Sequence, residues 1–432
     1  MLAGPDLLLF PHSLGEFRIP IFEFLFVVTG HSPLLFTMLR FQTAGESHGQ
    51  GLVTILSGLP AGLRVDFDYI ARELKRRQGG YGRGGRMKIE SDAAQFLSGV
   101  RHGKTIGTPI TVLIENRDWR NWQEAMAVED RAVSGAQYRR LSAPRPGHAD
   151  LAGCLKYNFR DARYVLERAS ARETAARVAA GALAKIFLKE FGIEVASHVL
   201  AVGSVSLPPH RSGEAISFER ILALRSREEI VLNCVDDEVE ARMKQEVDRA
   251  TEARDTVGGV FEVIAHGVPP GLGTCAQWDE RLDGWLAQAV MSIQAVKGVE
   301  IGSGIETSAV PGSAAHDEIG YSREESRFTR RSNHAGGVEG GITNGEDVVV
   351  RGYLKPISTL RQPLESVDLE TKNAVKAAYE RSDVCVVPAA GVIGESMVAL
   401  VLTRSLLEKF GGDSLPETRR NFDSYMEQVR SF

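Results

Sequence analysis

The sequence predicts one large mixed α/β (α+β) domain, and three observations carry that expectation. Short apolar runs of strand length alternate with amphipathic and Ala-rich stretches of helical period along most of the chain. The alternation lacks the strand–helix–strand regularity of a doubly wound sheet, and neither GxGxxG after a strand nor GxxxxGK[ST] occurs. No Pro/Ser-rich linker divides the 432 residues, whose 43% hydrophobic and 25% charged content is that of a globular chain.

The elements follow in order. Residues 52–56 are a short β-like run ended by Gly58-Leu59-Pro60. Asp66 and Asp68 are N-cap candidates for a helix through about Arg77. Residues 79–85 are a loop by composition, and 108–114 read as a buried strand. Ser170 and Glu173 have capping-box spacing. Ala175, Val178, Ala182 and Ile186 behind them mark the apolar face of a helix that Gly192 stops. Residues 239–254 form a charged amphipathic helix and 260–264 a strand. Further helices are expected over 285–296 and 395–410, with a strand between them at 348–354. The domain is expected to run from about Met38 to residue 412, with 413–432 a polar, peripheral tail.

The net charge of −5 argues against a general nucleic-acid binder, which needs a basic excess for phosphate. Cys154, Cys234, Cys275 and Cys385 are far apart and form no CxxC, so neither a disulfide framework nor a metal site is expected, and a reducing, cytoplasmic compartment fits. The first 37 residues hold apolar runs at 7–10, 21–28 and 34–36, broken by Pro, Gly and charges. None reaches the roughly 18 residues of a membrane span, and no signal-peptide cleavage pattern is present. The functional protein is therefore expected to begin at or near Met38, residues 1–37 being an upstream mis-start or a loosely packed appendage.

Several constellations could carry chemistry. Gly45-Glu46-Ser47-His48-Gly49 places a carboxylate, a hydroxyl and an imidazole between glycines that permit close approach of a ligand. Residues 72–88 hold seven Lys or Arg against one acid, a local charge of +6. That segment is either a solvated basic loop or, the favoured reading, a loop closing over a small polyanion; an RNA-binding RGG tail is disfavoured because the segment is single and internal. Pro144-Arg145-Pro146-Gly147-His148 stiffens the approach to a histidine. Arg168-Ala169-Ser170 precedes the Ala-rich helix and is readable as plain capping or as an anion site. Lys355-Pro356-Ile357-Ser358-Thr359 combines a cation with two hydroxyls, and Arg381-Ser382-Asp383 sets a carboxylate beside a cation that would keep it ionised. Either of the last two could equally be an ordinary loop.

Taken together, GESHGQGL (45–52), SGLPAGL (57–63), RRQGGYGRGGRM (76–87), PRPGHADL (144–151), SARETAARVAAGA (170–182), MSIQAVKGVEIG (291–302), SNHAGG (332–337), GGI (340–342), KPIST (355–359) and RSD (381–383) resemble the chorismate synthase family. The resemblance implies a sandwich of antiparallel sheets around long helices, assembled as a homotetramer. It implies a 1,4-anti elimination converting 5-enolpyruvylshikimate 3-phosphate to chorismate and phosphate, with reduced FMN required and no net redox change. NADPH would serve only as an external source of reducing equivalents, and no nucleic-acid or membrane partner is implied. By resemblance His48 would protonate or stabilise the departing phosphate, His148 would sit by the flavin's pyrimidine edge, and Asp383, assisted by Ser47, would manage the proton that leaves the substrate. Arg77 and Arg83 would bind the substrate's anions, or NADP. Arg168, Ala169, Ser170, Gln294, Ala295, Gly340, Lys355, Pro356, Ile357, Ser358, Thr359 and Arg381 would hold the flavin. Three positions depart from the family's pattern: Ala169 for a usual serine, Ser303 for a common aspartate, and Ser382 for a histidine of one branch.

Overall fold

In the computed structural model the described residues are 39–84, 91–130, 138–208, 216–227, 231–380 and 383–432. Expectations for residues 1–37 and Met38, for the 85–88 end of the basic loop, and for Arg381 and Ser382 lie outside them.

Strand β1 (Arg40–Ala44) turns back antiparallel onto β2 (Gly51–Ser57). Gly45 makes that turn possible. Its φ is +99°, and a Cβ there would lie 2.2 Å from the Gly51 carbonyl oxygen, so a side chain would collide with the partner strand. Two further strands, β3 (Gln95–Ser98) and β4 (Ile110–Glu115), complete a sheet of order β1-β2-β4-β3. Leu52, Thr54 and Leu56 alternate inward on β2, as do Ile110, Val112 and Ile114 on β4, the period-2 burial of a one-faced sheet. The second sheet contains β5 (Glu194–Val202), β6 (Val205–Ser206), β7 (Gly259–His266), β8 (Val296–Ile301) and β9 (Val348–Leu354), in the order β8-β9-β7-β5-β6, with every pairing antiparallel.

Helices fill the space between. They are α1 (Phe67–Gln78), α2 (Asp150–Tyr157), α3 (Arg163–Ala169), α4 (Thr174–Lys189), α5 (Asp237–Glu252), α6 (Leu282–Met291), α7 (Val387–Phe410) and α8 (Leu415–Ser431). α4 packs on β2 and β4, α7 packs on β5 and β7, and the two helices pack on each other with α1 alongside both. This is the antiparallel sandwich around long helices that the resemblance implied. Sandwiching also explains why thirteen of the sixteen α4 residues are buried, where the periodicity shows one apolar face. A Cβ at Gly181 would lie 2.2 Å from Ser396 Cβ, so the helices touch through a residue without a side chain.

Local chemistry accounts for most boundaries. Asp66 is the α1 cap, accepting the Tyr69 N–H at 2.8 Å, and Asp68 lies in the first turn. Ser170 accepts the Arg172 N–H at 3.3 Å, but the expected capping box does not close. Glu173 instead takes Thr43 Oγ1, Arg177 and Gln294, because those donors converge on it across the fold. The helix expected over 285–296 stops at Met291. Ala295 adopts φ +71° and the chain leaves as β8, a turn that apolar period alone does not register. α7 starts at Val387 rather than 395: Pro388 fits its first turn, and Gly391 and Gly394 approach Ser197 and Phe261 so closely that a Cβ would lie 2.9 and 2.6 Å away. α7 is apolar and long enough to cross a bilayer, yet 89% of its apolar window is buried as core. The polar segment after 412 is a helix, α8. Its Phe422 meets Phe191 and Phe410, and Ala61 N–H donates to the Asp413 carbonyl at 2.9 Å.

Charge is buried in this core. Glu395 on α7 accepts from Arg76 of α1 at 2.8 Å, Ser197 Oγ at 2.7 Å, Arg225 at 3.0 Å and Lys185 of α4. Glu73 accepts from Arg76 at 2.8 Å and from Lys185. Burial raises the Glu395 carboxyl, but Arg76, Lys185 and Arg225 outweigh it and hold the group well below the usual carboxylate range.

Candidate active site

A cavity of about 890 Å³ opens where the Ser47–His48 turn, the Gly147–His148 turn, the start of α4, the 293–295 turn, the 355–359 segment and the start of α7 converge. Each histidine reaches it from a constrained turn, and each has a buried carboxylate at Nδ1. His48 Nδ1 lies 2.9 Å from Glu167 Oε1 on α3, and the Glu167 side chain also accepts the His48 N–H at 2.8 Å. The His48 ring stacks on Trp122 at 3.8 Å between centroids. His148 Nδ1 lies 2.5 Å from Asp150 Oδ1 at the start of α2, after a turn in which Gly147 takes φ +78°. Asp150 is fully buried and also accepts Arg145 Nε at 2.8 Å. Burial raises the Asp150 carboxyl, but His148 and Arg145 bring it well below its ordinary value.

Cations surround the same space. Arg77 Nη2 donates to Asp92 Oδ2 at 2.7 Å and Arg172 Nη1 to Asp92 Oδ1 at 2.5 Å, so one buried carboxylate carries two guanidinium groups. Burial raises Asp92, and the charges of Arg77 and Arg172 overcome it and hold the carboxyl low. Arg172 Nε also donates to Asn116 at 3.0 Å. Arg83 Nη1 lies 2.9 Å from Asp383 Oδ2, and the Gly84 N–H donates to Asp383 Oδ1 at 2.6 Å. The sequence suggests Arg381 as the neighbour that keeps Asp383 ionised; the cation placed against it among the described residues is Arg83, brought in from the basic loop. Arg145 Nη1 donates to Thr359 Oγ1 at 3.0 Å, and Lys355 Nζ donates to the Gly147 carbonyl, which ties the 355–359 segment to the His148 turn.

Ser47, His48, Arg77, Arg83, His148, Ala169, Ser170, Gln294, Ala295, Lys355, Pro356, Ile357, Ser358, Thr359 and Asp383 all line the cavity. Ser170 Oγ donates to Ser47 Oγ at 3.1 Å. Two predicted residues are not brought to the lining. Arg168 turns away to the Thr43 carbonyl (2.8 Å) and the Gly45 carbonyl (3.2 Å), where it braces the turn before Ser47. Gly340 sits in the tight turn between Val338–Glu339 and Ile342–Thr343 with φ +60°. Arg381 lies outside the described residues. Reasoning from sequence assigned no role to Asp92, Arg145, Asp150, Glu167 or Arg172. Asp150, two residues beyond His148, was findable from its spacing; Asp92 and Glu167 carry no local signal, because their partners are distant in sequence. Among the described residues no group of three or more His, Cys, Asp or Glu side chains converges to hold a metal ion.

Comparison with known proteins matches this architecture. The sequence model of the chorismate synthase family matches residues 39–407. The chorismate synthase of Acidobacterium capsulatum is 64% identical over 400 residues, covering 91% of this chain and all of that protein. That of Aquifex aeolicus is 53% identical over 397 residues, covering 91% of this chain and 99% of that protein. A crystal structure of chorismate synthase aligns with a TM-score of 0.72 at 43% identity, covering 92% of this chain and 100% of that one. A family match over most of the chain, with relatives covered end to end and the same sandwich, means that the chain belongs to the chorismate synthase family, whose members are lyases.

Proposed function

We propose that this chain converts 5-enolpyruvylshikimate 3-phosphate to chorismate and inorganic phosphate by 1,4-anti elimination, with bound reduced FMN. One observation carries the reading: His48 and His148, each backed by a buried carboxylate, face one cavity ringed by Arg77, Arg83, Arg145, Arg172 and Lys355. The substrate has two carboxylates and a phosphate, and that cation set is complementary to it in sign.

The flavin fits the residues present. Gln294 Oε1 is buried without a hydrogen-bond partner and lines the cavity, as an acceptor awaiting a ligand N–H would. Lys355, Ser358 and Thr359 supply a cation and hydroxyls suited to its phosphate, and Ala169, Ser170, Ala295, Pro356 and Ile357 supply adjoining wall. His148 would serve its pyrimidine edge. The lost hydroxyl at Ala169 costs one side-chain donor and no backbone donor. Reduced FMN supplies transient electron density and leaves the reaction redox-neutral.

The protein's own part is orientation and proton transfer. Arg77 and Arg172, both held by Asp92, grip an anionic group, and Arg83 takes another. His48 gives a proton to the departing phosphate as the C–O bond breaks, the bond's electrons leaving with phosphate. The bonding pair of the C–H bond becomes a new double bond as the ring's existing double bond shifts to the carbon that loses phosphate, and the proton ends on the Asp383 carboxylate with Ser47 assisting. NADPH acts only as an external reductant, and the enzyme works in the cytoplasm as a homotetramer.

The test is anaerobic, with purified protein, chemically reduced FMN and the enolpyruvyl substrate. Chorismate and phosphate should appear in equal amounts; no product with competent reduced flavin refutes the reading. His48→Ala and His148→Ala should each lower kcat by about 10²–10⁴-fold.

A further inference from the structure

We infer that Glu167 is a positioning residue for His48, selecting the tautomer in which Nδ1 carries the proton and Nε2 is the nitrogen that serves the cavity. This rests on the reading of His48 as the acid to phosphate. Glu167 is 2% exposed and does not itself line the cavity, whereas His48 does. Its side chain lies behind the ring, Oε1 at 2.9 Å and Oε2 at 3.1 Å from Nδ1, while Oε2 accepts the His48 backbone N–H at 2.8 Å. Its own carbonyl accepts the Ser47 N–H at 2.9 Å. One residue therefore clamps the Ser47–His48 pair by main chain and side chain together.

The ring cannot turn away from this clamp. Trp122 stacks on it with an interplanar angle of 24°; Trp122 Nε1 is tied to Asp118 Oδ2 at 3.0 Å, and Arg139 covers the Trp122 ring at 4.0 Å. The plainer account of Glu167 is a salt bridge to Arg163 one helical turn away. That contact is 3.3 Å, longer than either bond to His48 Nδ1, and Arg163 Nη2 donates to Glu380 at 2.7 Å while Nε donates to the Arg139 carbonyl at 3.1 Å. The carboxylate is committed first to the histidine.

The chemistry follows from donor and acceptor roles. An ionised carboxylate only accepts hydrogen bonds, so Nδ1 must keep its proton. When protonated His48 gives up the Nε2 proton to phosphate, the neutral ring left behind is already the Nδ1–H form, and no tautomer exchange is needed before the next cycle. An amide at 167 reverses this. Its oxygen would stay on the His48 backbone N–H, its NH₂ would face Nδ1, and the neutral ring would be forced into the Nε2–H form.

The experiment compares wild type, Glu167→Gln, Glu167→Asp and His48→Ala, with ¹⁵N-histidine NMR of the enzyme and steady-state kinetics. His48 resonances are identified by their loss in His48→Ala. Wild type should show protonated Nδ1 and Glu167→Gln protonated Nε2. Glu167→Gln should lower kcat about 10²–10⁴-fold, with KM within about threefold of wild type. Glu167→Asp, which keeps the charge, should recover part of kcat, and that recovery excludes simple misfolding. Wild type with a neutral Nε2–H ring, or Glu167→Gln turnover within about threefold of wild type, overturns the inference. The two readings fail separately: an Nδ1–H ring in wild type and an Nε2–H ring in Glu167→Gln, with a wild type that makes no chorismate, would refute the function and leave the positioning role standing.

Discussion

Asp92 presents one carboxylate oxygen to Arg77 and the other to Arg172, and all three groups are at least nine-tenths buried. Two guanidinium groups on one site repel each other, and the shared carboxylate is what lets both stand at the cavity wall. On the proposed function, Asp92→Asn should therefore raise KM for the proposed phosphorylated substrate by roughly tenfold or more, while the FMN binding proposed for the 355–359 side changes little. Equal loss in both affinities would show that the substitution had collapsed the cavity instead. Little of this trio was legible in the sequence. Arg77 stands out in a +6 segment, but Asp92 and Arg172 become its neighbours only when the segment after the basic loop meets the start of α4. The same holds for Glu167 and His48, 119 residues apart.

Between α4 and α7 the contact is made by small residues, and its tolerance is correspondingly low. Gly181→Val would drive methyl groups into Ser396 and should cost about 1–3 kcal/mol, read as a lowered midpoint in urea. An unchanged midpoint would mean that the helices can part without loss. The charged cluster across α1, α4 and α7 is stricter. Glu395→Ala leaves Arg76, Lys185 and Arg225 buried around a vanished partner and should cost about 3–5 kcal/mol, whereas a surface pair such as Arg404–Glu408 should cost under 1 kcal/mol when broken. The periodicity of α4 announced a helix. It did not announce burial on nearly every side, because that depends on α1 and α7 packing against it from distant parts of the chain.

At the scale of the whole molecule the second sheet carries a row of charge across its strands: His198, Glu262, Arg351 and Glu300 are register partners on β5, β7, β9 and β8. Burial raises the Glu262 carboxyl, but the bond and charge of His198 and the charge of Arg351 bring it down to about 2 from an ordinary 4.5. A carboxyl lowered in the folded state stabilises the protein above its unfolded value, and that stability is lost as pH falls from about 4.5 toward 2. The thermal midpoint should hold between pH 7 and 5 and fall steeply below 4.5; Glu262→Gln should flatten the fall, and a variant with the wild-type slope would remove Glu262 as a cause. The sequence by itself determined that the chain is globular, that strands and helices are mixed without a doubly wound order, where α1, α4, β2, β4, β7 and β9 lie, and which turns carry His48, His148 and Lys355. These depend on local period, capping and glycine, which act over a few residues. Only the tertiary structure decided that Arg83 of the basic loop meets Asp383, that Arg168 turns outward, and that Asp92, Asp150 and Glu167 stand behind the cavity's cations and imidazoles. Those choices minimise unpaired buried charge, a quantity defined only once distant segments share one low-dielectric interior.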